Sequence, residues 1–469
     1  LANPCPVVVP RLQQWDGGAG VLPRAALARV VSGENALRDR LVREIGQVTG
    51  LTLAAAGGPA GAGDVVLTLD PALTWEAGGA RFAEEGYLLA VTGEQVRISA
   101  PTPTGLFYGT RSLLQILRTT AELPVGAAAD WPDYPVRGFM LDVGRRFFTP
   151  GFIREQLAVM GWFKLNELQL HLNDNGFLAP DGTWAEVQAG FRLVPEDPAL
   201  AGLASADGAY DRADWDSFEE AAAAEGVTLV PEIDAPAHSL AFVRFRPSLG
   251  LGDDHLDLSK PEATQFVKDV FTEFAPWFRG PHAHFGADEY LADEPRYREF
   301  FNAMAAHLRA LGKRPRAWGS LTRMAGGVPE GYDRDVVINC WATVWYGPHE
   351  AGRDGYSFVN TSDSLLYIVP AATYYHPDGL DGEYLYDHWA PHVFPDGQSV
   401  APGDPRLLGA MSAVWNDITA APYTEDDVRD LVEPTFAVLA QKMWSGAGGL
   451  PYGAFMDAVR EAGRGDMRP

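Results

Sequence analysis

The chain has 469 residues and a formal net charge of −25, from 37 basic and 62 acidic side chains. Such an acid excess repels nucleic-acid phosphates and anionic membrane surfaces alike. With 46% hydrophobic and 11% aromatic residues the sequence supplies a large core and excludes a disordered chain.

Residues 1–133 read as a small α/β domain. Helical periodicity runs over 33–49 and 104–118, and strand-like runs fall at 64–69, 86–91 and 95–99. The stretch "ADWPDYPVRG" (129–138), with two prolines close together, reads as the linker. From residue 134 to 469 short apolar runs alternate with longer amphipathic ones. Strands are expected at 137–142, 166–172, 227–233, 282–286, 314–318, 336–341, 365–369 and 408–415. Helices are expected near 150–163, 214–225, 261–278, 295–312 and 424–443, and 370–407 reads as a long loop. Strand–helix alternation of this kind predicts a (β/α)8 TIM barrel, preceded by the small α/β domain. Cys5 and Cys340 are the only cysteines, too few for a thiolate cluster or a disulfide framework; one bridge between them stays open. No apolar run is long enough to span a bilayer. A chain that starts at Leu1 rather than Met fits a leader removed by the cell or by cloning, and a secreted or extracellular protein is the expectation that goes with the first.

A TIM barrel works at the C-terminal ends of its strands, and there the sequence places polar and aromatic residues. The first predicted strand has Arg137 at its start, Asp142 near its end and Arg145 just beyond. The second carries Gln169 and ends in "HLNDN", with His171 and Asp174. The third ends in "EIDAPAH", with Glu232, Asp234 and His238. The fourth ends in "GADEY", with Asp288 and Glu289. Trp318, Trp341 and the "WND" of Trp415 and Asp417 close later strands. Asp142 and Arg145 read as a structural ion pair. The three tryptophans read as pocket walls rather than core. Adjacent carboxylates after the apolar "HAHFG" read as functional rather than as a solvated charge pair.

These segments resemble a known family. "HFGADE" is similar to the His-x-Gly-Gly-Asp-Glu signature of glycoside hydrolase family 20, the β-N-acetylhexosaminidases. "RGFMLDVGRRFF", "LNELQLHLNDN" and "PEIDAPAHS" resemble that family's first three strand motifs, in order, and "WND" its last. The second signature glycine is replaced by Ala287, and "GADEY" resembles the subgroup containing lacto-N-biosidases, which release a Gal–GlcNAc disaccharide rather than one sugar. The resemblance implies hydrolysis of β-linked N-acetylhexosaminides on an oligosaccharide or glycoconjugate, with retention. The substrate's own 2-acetamido oxygen would be the nucleophile. It assigns Glu289 as proton donor and Asp288 as the partner of the acetamido N–H, with Asp174 and His238 as a supporting pair. Arg137 would bind hydroxyls of the sugar in the deepest subsite. Trp318, Trp341 and Trp415 would wall the acetamido pocket, and Tyr375 (or Tyr374) would donate to the acetamido oxygen. Asp417 would hold hydroxyls at the non-reducing end, with Asp234 and Gln169 as weaker candidates for the same task. No metal and no organic cofactor is called for. A metal-dependent hydrolase using His171, His238 and His284, and a sugar-binding barrel without catalysis, are the competing readings.

Overall fold

A computed structural model describes residues 2–321 and 330–465. Part of the stretch between the strands expected at 314–318 and 336–341 therefore lies outside the described residues. The N-terminal unit is one seven-stranded mixed sheet. Its spatial order is Gln14–Pro23, Glu122–Asp130, Tyr87–Val91, Val96–Ala100, Asp64–Leu69, Arg29–Val31 and Ala54–Ala56. The helices Asn35–Thr49 and Pro103–Thr119 pack together against it. Pro103–Thr119 is apolar nearly all round ("TGLFYGTRSLLQIL") and is buried from Gly105 to Leu117, as expected of a helix covered on every side. Its Tyr108 donates to the Gly226 carbonyl (3.1 Å) and meets Trp444 edge-on, so one of its faces rests on the barrel.

Eight parallel strands form the barrel: β1 (Val136–Asp142), β2 (Glu167–His171), β3 (Thr228–Ala235), β4 (His282–Gly286), β5 (Arg314–Trp318), β6 (Val337–Cys340), β7 (Phe358–Asn360) and β8 (Leu407–Val414). Each pairs with the next, and β8 pairs with both β7 and β1, which closes the ring. Helices Pro150–Trp162, Arg212–Ala224, Pro261–Phe274, Glu294–Ala310 and Glu425–Trp444 stand where the periodicity puts them. β1 is buried along its whole length, as a parallel strand flanked by helices and barrel interior must be.

Two expectations are corrected, the seventh strand and the long loop. The seventh barrel strand is Phe358–Asn360. The apolar run expected at 365–369 gives only a two-residue strand, Tyr367–Ile368, which pairs with the end of β8 on the edge where β7 leaves off. The segment between β6 and β7 contains two short helices, Thr343–Tyr346 and Pro348–Asp354, and the long loop at 370–407 contains the helix Gly382–His388. The two cysteines are unbonded; Cys340 is buried and Cys5 partly so. No helix among the described residues is long and apolar enough to cross a membrane.

Candidate active site

A chain of charged side chains crosses the C-terminal face of the barrel. It starts in the turn after β1, where Arg145 pairs with Asp142 (3.1 Å), with Asp174 beyond β2 (3.1 Å) and with Asp417 beyond β8 (3.4 Å). Asp174 passes the contact on through Oδ1 to His238 Nδ1 at 3.0 Å. His238 Nε2 reaches both Glu289 Oε2 (3.2 Å) and Asp288 Oδ2 (3.3 Å). Five elements thus share one network, and the neighbours Asp288 and Glu289 meet at a single imidazole.

The electrostatics follow from that geometry. Burial alone would lower the His238 pKa, but the carboxylates of Asp174 and Asp288 outweigh it and hold the imidazole well above its ordinary value. His171, enclosed between Glu232 Oε1 (2.8 Å) and Asp174 Oδ2 (2.6 Å), is held charged in the same way. Burial would raise Asp174, yet Arg145, His238 and His171 hold it well below the usual carboxylate range. Asp417 goes the other way, because its burial outweighs Arg145.

The loop after β4 owes its shape to backbone as much as to charge. Gly286, Ala287 and Glu289 all have positive φ, at 69°, 69° and 53°. A Cβ on Gly286 would lie 1.7 Å from Asp234 Oδ1, so only glycine lets β3 and β4 approach here. Ala287 occupies a left-handed conformation that an L side chain adopts at a cost. Strain of this kind persists where the surroundings over-determine the loop, and it turns the Glu289 side chain, 42% exposed, toward the cavity.

That cavity has a volume of about 450 Å³, within the usual range for small-molecule sites. Arg145, Asp174, His238, Asp288, Glu289 and Asp417 supply its polar lining. Trp318, Trp341, Trp415, Tyr367, Tyr374, Tyr375 and Phe177 supply the rest. Trp318 is fixed by donating from Nε1 to Glu232 Oε1 (2.6 Å), and Trp415 by edge-on contact with His171 (4.8 Å, 77°). Trp341 stacks on Trp345 (6.2 Å, 24°). Tyr374 donates to Asp417 (2.8 Å) and Tyr375 to Asp363 (2.9 Å).

Three expected site residues lie elsewhere. Arg137 is wholly buried at the opposite end of β1. There it forms a two-pronged contact with Glu85 (3.1 and 2.7 Å) and donates to the Lys164 carbonyl, so it ties the barrel to the N-terminal sheet unit. Its place at the start of its strand carried that information. Gln169 is buried inside the barrel and donates to Glu232 (2.7 Å) below the cavity floor. Asp234 is buried behind the β4 loop and is not part of the lining; it accepts the Ala287 N–H at 3.2 Å. Arg145, read as one half of a structural ion pair, does make that pair but also faces the cavity. Tyr367 and Phe177 line it without having been singled out. The signal for Tyr367 was its place in the strand-like run before the long loop, and Phe177 follows the "NDNG" turn.

The catalytic-domain profile of glycosyl hydrolase family 20 matches residues 134–447, and the profile of that family's domain 2 matches residues 6–131. A lacto-N-biosidase of Bifidobacterium bifidum is 26% identical over 474 residues, covering 94% of this chain and 40% of that protein. A β-N-acetylhexosaminidase of Cellulomonas fimi is 26% identical over 406 residues, covering 77% of this chain and 74% of its own length. In three dimensions the chain resembles the family 20 β-N-acetylhexosaminidase of Streptomyces coelicolor A3(2). The TM-score is 0.79 at 21% identity, over 98% of this chain and 96% of that one. The fold is thus a TIM barrel preceded by a smaller α/β sheet unit. The chain belongs to glycosyl hydrolase family 20.

Proposed function

We propose that the protein is a retaining, exo-acting hydrolase of β-linked N-acetylhexosaminides, in which the 2-acetamido group of the substrate is the nucleophile. The observation that carries this is the meeting of Asp288 and Glu289 at His238, inside a cavity walled by three tryptophans. Two carboxylates on neighbouring residues that share one imidazole suit two tasks on the same sugar better than attack from opposite faces.

In the first step the acetamido oxygen attacks the anomeric carbon, and the bond to the leaving oxygen breaks as Glu289 gives that oxygen its proton. An oxazolinium-type ring forms, and Asp288 accepts the acetamido N–H and stabilises the positive charge there. The nucleophile is already tethered, which supplies a high effective molarity. In the second step the Glu289 carboxylate takes a proton from water as that water attacks the same carbon, and the ring opens with net retention. His238, held by Asp174 at 3.0 Å, faces Glu289 at 3.2 Å and fixes where its carboxyl sits. Arg145, Asp417 and Tyr374 present a charged edge for the sugar's ring hydroxyls, and Trp318, Trp341 and Trp415 enclose the acetamido methyl and the apolar ring face. Tyr375 stands ready to donate to the acetamido oxygen once it leaves Asp363.

Of the two product sizes, the disaccharide lacto-N-biose is our reading. Alignment with the lacto-N-biosidase over 94% of this chain supports it, as does Ala287 in the signature. Phe177, 59% exposed at the cavity, offers an apolar face for a second pyranose. Release of a single sugar is the second reading, favoured by the Arg145–Asp417 pair, which suits terminal hydroxyls. Hydrolysis of the p-nitrophenyl β-glycosides of N-acetylglucosamine, lacto-N-biose and deacetylated glucosamine tests all of this. The expected order puts lacto-N-biose first and the deacetylated glycoside inert. Turnover of the deacetylated glycoside at a comparable rate overturns the mechanism, and a clear preference for N-acetylglucosamine overturns the disaccharide reading.

A further inference from the structure

Behind the cavity wall, the carboxyl of Asp234 at the end of β3 faces that of Asp288, and each has an oxygen within 4.8 Å of a His238 nitrogen. Asp234 Oδ1 accepts the Ala287 N–H (3.2 Å), and Gly286 leaves no room for a Cβ beside it. Asp234 Oδ2 and Asp288 Oδ1 are both shut off from solvent, and neither receives a hydrogen bond from any N–H or O–H donor among the described residues. Two ionised carboxylates cannot be left in that position; a proton between them satisfies both orphaned oxygens at once.

We infer that Asp234 keeps its proton and donates it as a hydrogen bond to Asp288 Oδ1, acting as a positioning residue that fixes Asp288 as the ionised partner of the substrate's acetamido group. The inference rests on the role proposed above for Asp288. Oδ1 is then occupied from behind, and Oδ2, on the His238 side, is left to accept the acetamido N–H. Charge around the pair agrees on which group keeps the proton. Asp288 has His238 beside it at 3.3 Å. Asp234 faces Asp288, His238, Glu232 and His171, with Asp174 also close by. Burial and the Asp288 charge push Asp234 well above the usual carboxylate range, against the two imidazoles, whereas burial of Asp288 is outweighed by His238, which lowers it.

Asp234→Asn separates this from a role for an ionised carboxylate, because the amide N–H₂ donates to Asp288 while the amide oxygen still accepts from Ala287. On an aryl β-N-acetylglucosaminide or lacto-N-bioside, the Asn variant should keep kcat within about fivefold of the parent. Asp234→Ala, which deletes one hydrogen bond to a charged group, should lose about ten- to a hundredfold, in kcat rather than KM. An Asn variant as impaired as the Ala variant overturns the proposal. A second readout needs no turnover. An aspartic acid that stays protonated in the fold, but ionises when unfolded, makes the parent protein lose stability as pH rises above about 4. Asp234→Asn lacks that loss, so its Tm relative to the parent should climb from pH 5 to pH 8. A difference that stays flat or falls overturns the proposal, even if neither glycoside proves to be a substrate.

Discussion

Arg145 and Asp417 meet at 3.4 Å across the gap between the β1 and β8 loops, and Tyr374 donates to the other oxygen of the same carboxylate. Arg145 also serves Asp142 and Asp174, so one guanidinium faces three carboxylates. Asp417→Asn should leave the fold intact and remove a charged acceptor for ring hydroxyls. The expected cost is about 2–3 kcal/mol in kcat/KM, read from steady-state kinetics with Tm as control. Arg145→Ala should do worse on both counts, since it strands buried carboxylates; about 3–5 kcal/mol of stability should go with it.

Glu289→Gln removes the proton donor but keeps its shape. The loss in kcat should reach about 10²–10⁴-fold for a glycoside with a basic alcohol as leaving group. It should be much smaller for an aryl glycoside whose leaving oxygen needs no proton. Comparing methylumbelliferyl and alkyl or sugar leaving groups checks this. An equal loss on both kinds would point to a structural role for Glu289.

Arg137 offers a contrasting test. Its guanidinium is fully buried against Glu85, at the end of β1 remote from the cavity. Arg137→Ala should cost about 3–5 kcal/mol of stability by leaving a buried carboxylate unpaired, and KM of the protein that remains folded should not change. A raised KM at unchanged Tm would restore Arg137 to the substrate site.

Two histidines on β4 make the fold acid-sensitive. Burial, together with the nearby Arg316 charge, pushes His282 and His284 down to about 4 from an ordinary 6.5, so both are neutral in the fold. The unfolded chain takes up protons there first. Their contribution is therefore full above pH 6.5 and is lost as pH falls from 6.5 toward 4. His282→Gln should narrow the gap in Tm between pH 7.5 and pH 5.5; an unchanged gap would show that His282 titrates normally.

Much of this was legible in the sequence, for physical reasons that also explain the misses. Parallel strands buried on both faces appear as short apolar runs, which is how β1 to β6 and β8 were found. β7 is three residues, "FVN", too short to stand out beside the more apolar "LLYIV" that follows it. The sheet strands Gln14–Pro23 and Glu122–Asp130 escaped because "GGAG" and "GAAA" lack the branched residues that mark a strand. At the site, reading residues from strand ends found Asp174, His238, Asp288, Glu289, Asp417 and the tryptophans. The same rule, applied to Arg137 at a strand start, would have sent it to the other face. Gln169 and Asp234 point into the barrel or behind a loop, and alternation along a strand cannot distinguish a cavity floor from the layer beneath it. Tyr367 sits in the strand-like run before the long loop, but its place at the cavity follows from that run pairing with the end of β8.

The Arg137–Glu85 contact makes the small N-terminal sheet part of the barrel's foundation rather than an attachment to it. A barrel cut loose at residue 134 would start its first strand with an enclosed cation whose counter-ion had been left on the other fragment. Recombinant versions, fusions and shuffled chimeras of this chain should therefore carry both units from the same parent.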